Sequence, residues 1–314
     1  MACLSPIFIK NPNLGKCPTL HLNTKSKYLA VPCGKCAGCI SQRRTDIVNR
    51  MLLESLAGPN NFFFTLTYDE IYMPTVLEKY PSFVENFPEF SRVPIVYKGD
   101  VQKFCQNLRN SFRRFDTVPQ LRYAICSEYG PSRLRPHYHG IIFNAPSGWN
   151  ADIEILRCWL YGYVQVGRLS AGGCGYVGKY ILKQGGEPTL PSQIPHKNFF
   201  LCSRRPPLGC CGISRQMIDY IKRVGSRRVK IKHFGDIVIP YVILKEFLSD
   251  SQIRRIRALE HIKAQEYNDK KMDDLYQYDV KHGKEFPTIY RAIYENSIIL
   301  SNNIKRSKSQ SLDI

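Results

Sequence analysis

Residues 135–143 read Arg-Pro-His-Tyr-His-Gly-Ile-Ile-Phe, two histidines about one bulky residue followed by a β-branched, aromatic run. That run has strand composition, and strand side chains alternate between faces. His137 and His139 therefore point one way and Tyr138 the other, with the imidazoles about 7 Å apart along one face. Two such rings can converge on one divalent cation. A carboxylate to complete the set is Glu128, at the end of a run (121–127, Leu-Arg-Tyr-Ala-Ile-Cys-Ser) that reads as the antiparallel partner of 137–143. Two imidazoles, a carboxylate and open positions suit Mg²⁺, and imidazole ligation makes Mn²⁺ acceptable as well.

A nucleophile is available in residues 172–183, Gly-Gly-Cys-Gly-Tyr-Val-Gly-Lys-Tyr-Ile-Leu-Lys. On a helix Tyr176 and Tyr180 lie one turn apart on one face, and Lys179 and Lys183 repeat the spacing. A phenol titrates near pH ~10, so attack at neutral pH needs a polarised phosphate and a nearby ammonium. The plain alternative is an amphipathic helix with a Tyr/Ile/Leu core face.

Twelve cysteines require a further reading. Met1 to Lys10 shows no basic, apolar and cleavable signal pattern, which predicts a reducing compartment with free or metal-bound thiols. Cys33, Cys36 and Cys39 form two overlapping C-x-x-C units, a spacing that chelates tetrahedral Zn²⁺. A fourth ligand must come from elsewhere. Cys3 and Cys17 are the candidates, with Cys3 preferred. Cys105 and Cys126 sit in apolar patterns and read as small core residues.

Lys and Arg outnumber Asp and Glu 45 to 26, a formal charge of +19. Such a bias calls for a polyanionic partner, with nucleic acid first. No apolar run reaches the ~18 residues of a membrane span. Between 197 and 232 ten Lys/Arg face a single acid, Asp219, and Arg204, Arg205, Arg227 and Arg228 are its candidate phosphate contacts.

The elements that must position these groups follow from periodicity and punctuation. Residues 41–57 read as a helix with Ser41 as N-cap and Gly58-Pro59 as its stop, and 61–68 as a strand. Residues 69–98, acidic and proline-punctuated, suit a surface excursion. Val101, Phe104, Cys105, Leu108, Phe112 and Phe115 fall at helical spacing behind a cap at Asp100. A helix near 151–161, a strand near 162–168 and a helix from about 174 to 184 follow. The expected class is α+β, a largely antiparallel central sheet with packed helices. Expected divisions are a Cys-rich segment 1–40, a catalytic domain 41–235, and an accessory region 236–314 with alternating helical charge and a polar tail.

This combination resembles the HUH endonucleases that initiate rolling-circle replication, and more closely the initiators of small single-stranded DNA phages, microviruses of the gokushovirus type. Phe64-Thr65-Leu66-Thr67-Tyr68 is similar to that family's first motif. Glu128-Tyr129-Gly130 with Arg135-Pro136-His137-Tyr138-His139-Gly140 is similar to its metal motif, and residues 176–183 to its double-tyrosine motif. The cysteine triplet and Ser203-Arg204-Arg205-Pro206-Pro207-Leu208-Gly209 also resemble recurring segments.

The resemblance implies an RRM-like sheet, metal at His137, His139 and Glu128, and attack by Tyr176 or Tyr180 on origin DNA. The product is a 5′-phosphotyrosine and a free 3′-OH, with rejoining after a round of copying. Tyr180 is preferred for the first cut, because Ile181 and Leu182 would anchor its turn. It further implies the cytoplasm of a bacterial host, with host helicase and polymerase as partners, since the chain has no Walker A motif. Two rivals are a non-catalytic single-stranded DNA-binding protein with a zinc knuckle, which leaves the His and Tyr pairs idle, and an Fe(II) oxygenase, which leaves the tyrosines and charge unexplained.

Overall fold

A computed structural model describes residues 3, 6–16, 27–115, 120–130, 134–170, 172–181, 194, 198–232 and 234–281. The chain forms two compact units, one of Ile47–Ile213 and one of Met1–Asp46 with Ser214–Ile314.

The chain enters through a short antiparallel pair, β1 (Ile7–Lys10) and β2 (Tyr28–Val31), with Ile7 opposite Val31. Helix α1 (Ala37–Ser55) follows, starting four residues earlier than its capping pattern predicts. The Ile40 amide already bonds the Cys36 carbonyl, so Ser41 is helical and not the N-cap. Small Ala37 and Gly38 let the cysteine loop run directly into the first turn.

The Ile47–Ile213 unit is built on β3 (Phe62–Tyr68), β4 (Arg122–Tyr129), β5 (Pro136–Phe143), β6 (Gly162–Arg168) and β7 (Phe200–Cys202). They form one antiparallel sheet in the order β6-β3-β5-β4-β7. Strand β4 runs past the predicted 121–127, so Glu128 lies inside the ladder opposite His137. Between β3 and β4 lie α2 (Val76–Lys79), α3 (Pro81–Val84) and α4 (Lys98–Phe112). The 69–98 stretch is thus more than a surface excursion. Val76 and Ile95 are fully buried and gather Tyr80, Phe83 and Phe90 around them. Nor is Asp100 a cap: Tyr97 holds that position, and the buried Asp100 carboxylate accepts the Tyr68 hydroxyl at 2.7 Å.

Alternation along the strands divides the core. Phe64, Leu66, Tyr68, Tyr138 and Ile142 face α4 and α5 (Ala151–Cys158), packing with Phe104, Leu108, Ile155 and Trp159. Ala124, Cys126, Ile141 and Phe143 face the other way, against Ile47 and Met51 of α1 and against Cys174 and Val177 of α6 (Gly173–Ile181). Full burial of side chains this size contributes roughly 1.5–3 kcal/mol each. Helices therefore cover both faces of the sheet, as the α+β expectation required.

The other unit continues with α7 (Arg215–Val224), the hairpin β8 (Arg228–Ile231) and β9 (Gly235–Val238), α8 (Tyr241–Leu244) and α9 (Asp250–Lys281). Ser214 caps α7 and Gly225, left-handed at φ 66°, ends it. The predicted tail from Ser301 lies outside the described residues. Among the described residues no helix is long and apolar enough to cross a membrane.

Candidate metal and nucleophile site

The register of β3, β5 and β4 gathers the predicted metal residues. Thr65 stands opposite His139, Cys126 opposite His139 on the other side, and Glu128 opposite His137. Directly opposed residues share a face, so both imidazoles, Thr65 and Glu128 project toward the α6 side. Tyr138 projects to the other core. It is fully buried, accepts the Tyr97 amide at 2.8 Å and contacts the Tyr68 hydroxyl at 3.0 Å. Burial pushes its phenol well above the ordinary range. That anchoring fixes the strand, and with it the direction of both histidines.

His139 is buried, with Nδ1 3.0 Å from Thr65 Oγ1 and Nε2 3.1 Å from Glu128 Oε2. Phe63 stacks on its ring at 6.2 Å and 15°. A proton between Nε2 and Oε2 fills the place a cation would take, with both atoms turned toward the same point. His137 donates Nδ1–H to the Arg135 carbonyl at 2.7 Å, because that oxygen can only accept. Its Nε2 therefore carries the lone pair, the tautomer that a metal ligand needs. Burial, the largest influence, holds the His137 pKa below its ordinary value, which favours the neutral form.

His137 is held by its surroundings. A Cβ on Gly130 would stand 3.2 Å from His137 Cε1, so the glycine leaves room for the ring. Arg135 donates to the Tyr68 carbonyl at 2.9 Å and pairs with Glu70 at 3.2 Å, fixing the approach to β5. The His137 nitrogens stand further from the other two ligands than those do from each other. Among the described residues, only a cysteine group has three or more ligand atoms all within 4.8 Å of one another. The donor chemistry fits Mg²⁺ or Mn²⁺, and closing all three on one ion requires the His137 ring to turn toward Glu128.

Of the predicted nucleophiles, Tyr176 lies next to this group. Its ring meets His139 edge-on at 5.8 Å and 87°, and Phe63 at 5.5 Å and 78°. Cys174 and Val177, buried on the same helix, pin α6 to the sheet. Lys179 Nζ stands 5.8 Å from the centre of the Tyr176 ring. Tyr180 follows one turn later on the α6 backbone, but its side chain lies outside the described residues, as does Lys183. Phe63, Thr65, Gly130 and Arg135 were not singled out from sequence. Only the alternation of Phe63 and Thr65 along a strand already assigned carried a signal for them.

In the other unit, Cys3, Cys33, Cys36 and Cys39 place their sulfur atoms within 4.8 Å of one another. Cys3 to Cys36 is 3.7 Å and Cys33 to Cys39 is 4.0 Å. A tetrahedral ion about 2.3 Å from each sulfur sets sulfur–sulfur distances near ~3.8 Å, so the cluster fits a metal such as zinc. The β1–β2 pairing makes this possible, since Cys3 precedes one strand and Cys33 follows the other at the same end. Backbone amides of Lys35 and Cys36 hold the Cys33 thiol below its ordinary pKa, while burial and neighbouring sulfurs push Cys39 up to about 12. The alternative fourth ligand, Cys17, lies outside the described residues.

The predicted phosphate contacts divide. Arg204 and Arg205 are exposed on the turn after β7, and Arg228 is exposed on β8 with Asp236 3.8 Å away. Arg227 is a correction. Its guanidinium pairs with Glu260 at 2.9 Å and lies 3.9 Å over the Tyr241 ring, so it ties β8 to α9 and α8. Lys197 lies outside the described residues.

Comparison with known proteins agrees with this arrangement. Residues 61–185, from β3 to α6, match the family described as replication-associated protein ORF2. The replication-associated protein ORF2 of Spiroplasma virus 4 is 29% identical over 213 residues, 59% of this chain and 62% of that protein. The replication-associated protein VP4 of Bdellovibrio phage phiMH2K is 26% identical over 168 residues, 49% of each chain. The replication-associated protein ORF4 of Chlamydia phage 1 is 22% identical over 175 residues, 49% of this chain and 38% of that protein. The matches thus span between about two fifths and three fifths of these relatives. No solved structure matches the chain. The motif strand, the histidine pair and the tyrosine helix all fall within the matched family segment, and the chain is similar to the replication-associated proteins of small phages.

Proposed function

We propose that the chain nicks single-stranded DNA at a replication origin through a tyrosine nucleophile and rejoins the strand after copying. The observation that carries this reading is the contact of the Tyr176 ring with His139, itself bonded to Glu128. Similarity to replication-associated phage proteins supports a role in replication, and the +19 charge supports a DNA partner.

His139 and Glu128, joined by His137, would hold a Mg²⁺ or Mn²⁺ ion, which when bound polarises a phosphate oxygen. Thr65 and the Arg135 carbonyl orient the two rings from behind. The Tyr176 or Tyr180 hydroxyl attacks the scissile phosphorus in line. The tyrosyl O–P bond forms as the P–O3′ bond breaks, the phenol proton leaves to solvent, and the departing 3′ oxygen takes one up. The 5′-phosphotyrosine keeps the phosphodiester energy, so attack by a 3′-OH reverses the step and reseals the strand. Lys179 and Lys183 would offset developing phosphate charge. With two tyrosines, one can hold the old end while the other opens the newly made origin.

The catalytic work belongs to 41–235, with 1–40 fastened by zinc and 236–314 as the region where host helicase and polymerase would dock. The test is to incubate the chain with circular single-stranded DNA and Mn²⁺, then denature. Protein covalently attached to a nicked strand supports the reading. Binding without any adduct, under all metal conditions, overturns it in favour of a non-catalytic single-stranded DNA-binding protein.

A further inference from the structure

A cleft of about 840 Å³ opens between α4 and the β4–β7 edge of the sheet, on the side away from His139 and Tyr176. Tyr123 and Leu201 in its wall belong to the core face of α4, whereas Tyr176 packs with the opposite cluster. The sheet therefore separates the cleft from the proposed nicking site. Lys98, Arg109, Arg113, Arg122, Arg204 and Arg205 all line it, and none of the described lining residues is acidic. Like charges so close raise one another's energy unless an anion joins them.

The cleft is also built. Arg122, only 4% exposed, pairs with the fully buried Glu54 at 2.5 Å. The same guanidinium donates to the Pro206 carbonyl at 2.7 Å and the Pro207 carbonyl at 3.1 Å. Tyr123 donates its amide to Ser203 Oγ at 3.0 Å and accepts the Ser203 amide at 3.0 Å. These bonds fix the turn that presents Arg204 and Arg205, so little ordering remains when a ligand arrives. On the facing wall, Arg109 lies 6.0 Å from the centre of the half-buried Tyr123 ring.

We propose that this cleft binds a second stretch of nucleic-acid strand, holding it by its phosphates on the face of the sheet opposite the scissile phosphate. Arginine forks match phosphate oxygens, and an aromatic ring among them offers a base a surface to stack on. A cleft lined by cations over its length favours a polymer over a single small anion. The inference rests on the DNA-nicking reading only for the identity of the strand, because the cleft itself performs no chemistry.

The test is an Arg109→Glu/Arg113→Glu variant, read by fluorescence anisotropy with a labelled single-stranded oligonucleotide of about thirty nucleotides over a salt series. Each lost phosphate contact lowers the salt slope by roughly 0.7 on single strands, so a fall of about 1.4 is expected, with at least tenfold weaker binding at low salt. Lys103→Glu, the same charge change on the same helix outside the cleft, should stay within twofold. Covalent adduct formed on a short origin fragment at saturating protein should also stay within twofold for the double variant. Equal losses in Lys103→Glu and the double variant would overturn the proposal, as would an unchanged salt slope. Should the double variant fail to fold by near-UV circular dichroism, photo-crosslinking of wild type to an iodouridine oligonucleotide decides. Crosslinks at Tyr123 support the cleft, and crosslinks confined to β5 and α6 refute it. If the chain forms no adduct at all, the nicking reading fails while these binding measurements still stand.

Discussion

Nε2 of His139 faces Oε2 of Glu128 across 3.1 Å, with both side chains buried and Thr65 closing the far side of the ring. Removing either partner leaves the other without its counterpart in a site shielded from water. His139→Ala and Glu128→Ala should therefore each abolish adduct formation in Mn²⁺ while leaving single-stranded DNA affinity within severalfold. Thr65→Val keeps both ligands and loses only the bond behind His139. It should cost about 10–100-fold in activity or metal affinity, the range for partners that orient a ligand. Titration of Mn²⁺ by electron paramagnetic resonance, alongside adduct yield, checks both; full cleavage by His139→Ala would remove the metal assignment.

For the tyrosines, the expected pattern is graded. Tyr176→Phe and Tyr180→Phe should each leave some adduct, the double variant none, with Tyr180→Phe the more severe. Peptide mapping of the adduct reads which phenol was used. Tyr138 should never carry DNA, because its hydroxyl is enclosed with Tyr68 and Tyr97 on the other face.

Zinc analysis of the purified chain should find one ion per chain, bound by the cysteine cluster. Cys36→Ser should release it and make residues 1–46 hypersensitive to protease, because structural zinc contributes folding energy directly. Metal analysis that finds no zinc in the wild type would end this assignment.

The buried pair of Glu54 and Arg122 makes a stability prediction. Arg122→Met leaves a carboxylate with no exposure and no cation, and should cost about 3–5 kcal/mol in urea denaturation. Glu54→Leu/Arg122→Met should recover much of that loss while still loosening the 204–207 turn.

Asp100 gives the chain a pH signature. Burial, the largest influence, raises its folded pKa, against the lowering effect of the Tyr68 hydroxyl. A raised carboxyl contributes stability that is fully present below the unfolded value near ~3.9 and is lost as pH rises through the folded value. Wild type should therefore lose stability relative to Asp100→Asn as pH climbs from about 4 toward neutrality, read from urea midpoints at a series of pH values. Parallel curves for the two proteins would contradict this.

Much of the site was legible because strand periodicity is strict. Once 137–143 was a strand, the common face of His137 and His139 followed, and the hairpin placed Glu128 beside them. Helix ends were less legible. Ser41 and Asp100 have good capping chemistry, yet a glycine-flanked cysteine loop and a buried tyrosine hydroxyl claimed those positions. Arg227 showed the limit of counting charge, since its partners Glu260 and Tyr241 lie 33 and 14 residues away in sequence. Cleft residues such as Lys98 and Arg205 meet only through tertiary structure, which no local pattern reports.

Gly140 lies opposite Phe64 in the β3–β5 ladder, and a Cβ there would run into the Phe64 ring. The ring spans the space that any side chain at 140 would need, so a larger residue must either lift β3 from β5 or expel the phenyl group. Either response moves Thr65 away from His139, one step along the same two strands. The glycine after the histidine pair thus works as a spacer gauge for the strands. A change at this one position can silence the site while every ligand and every tyrosine stays in the chain.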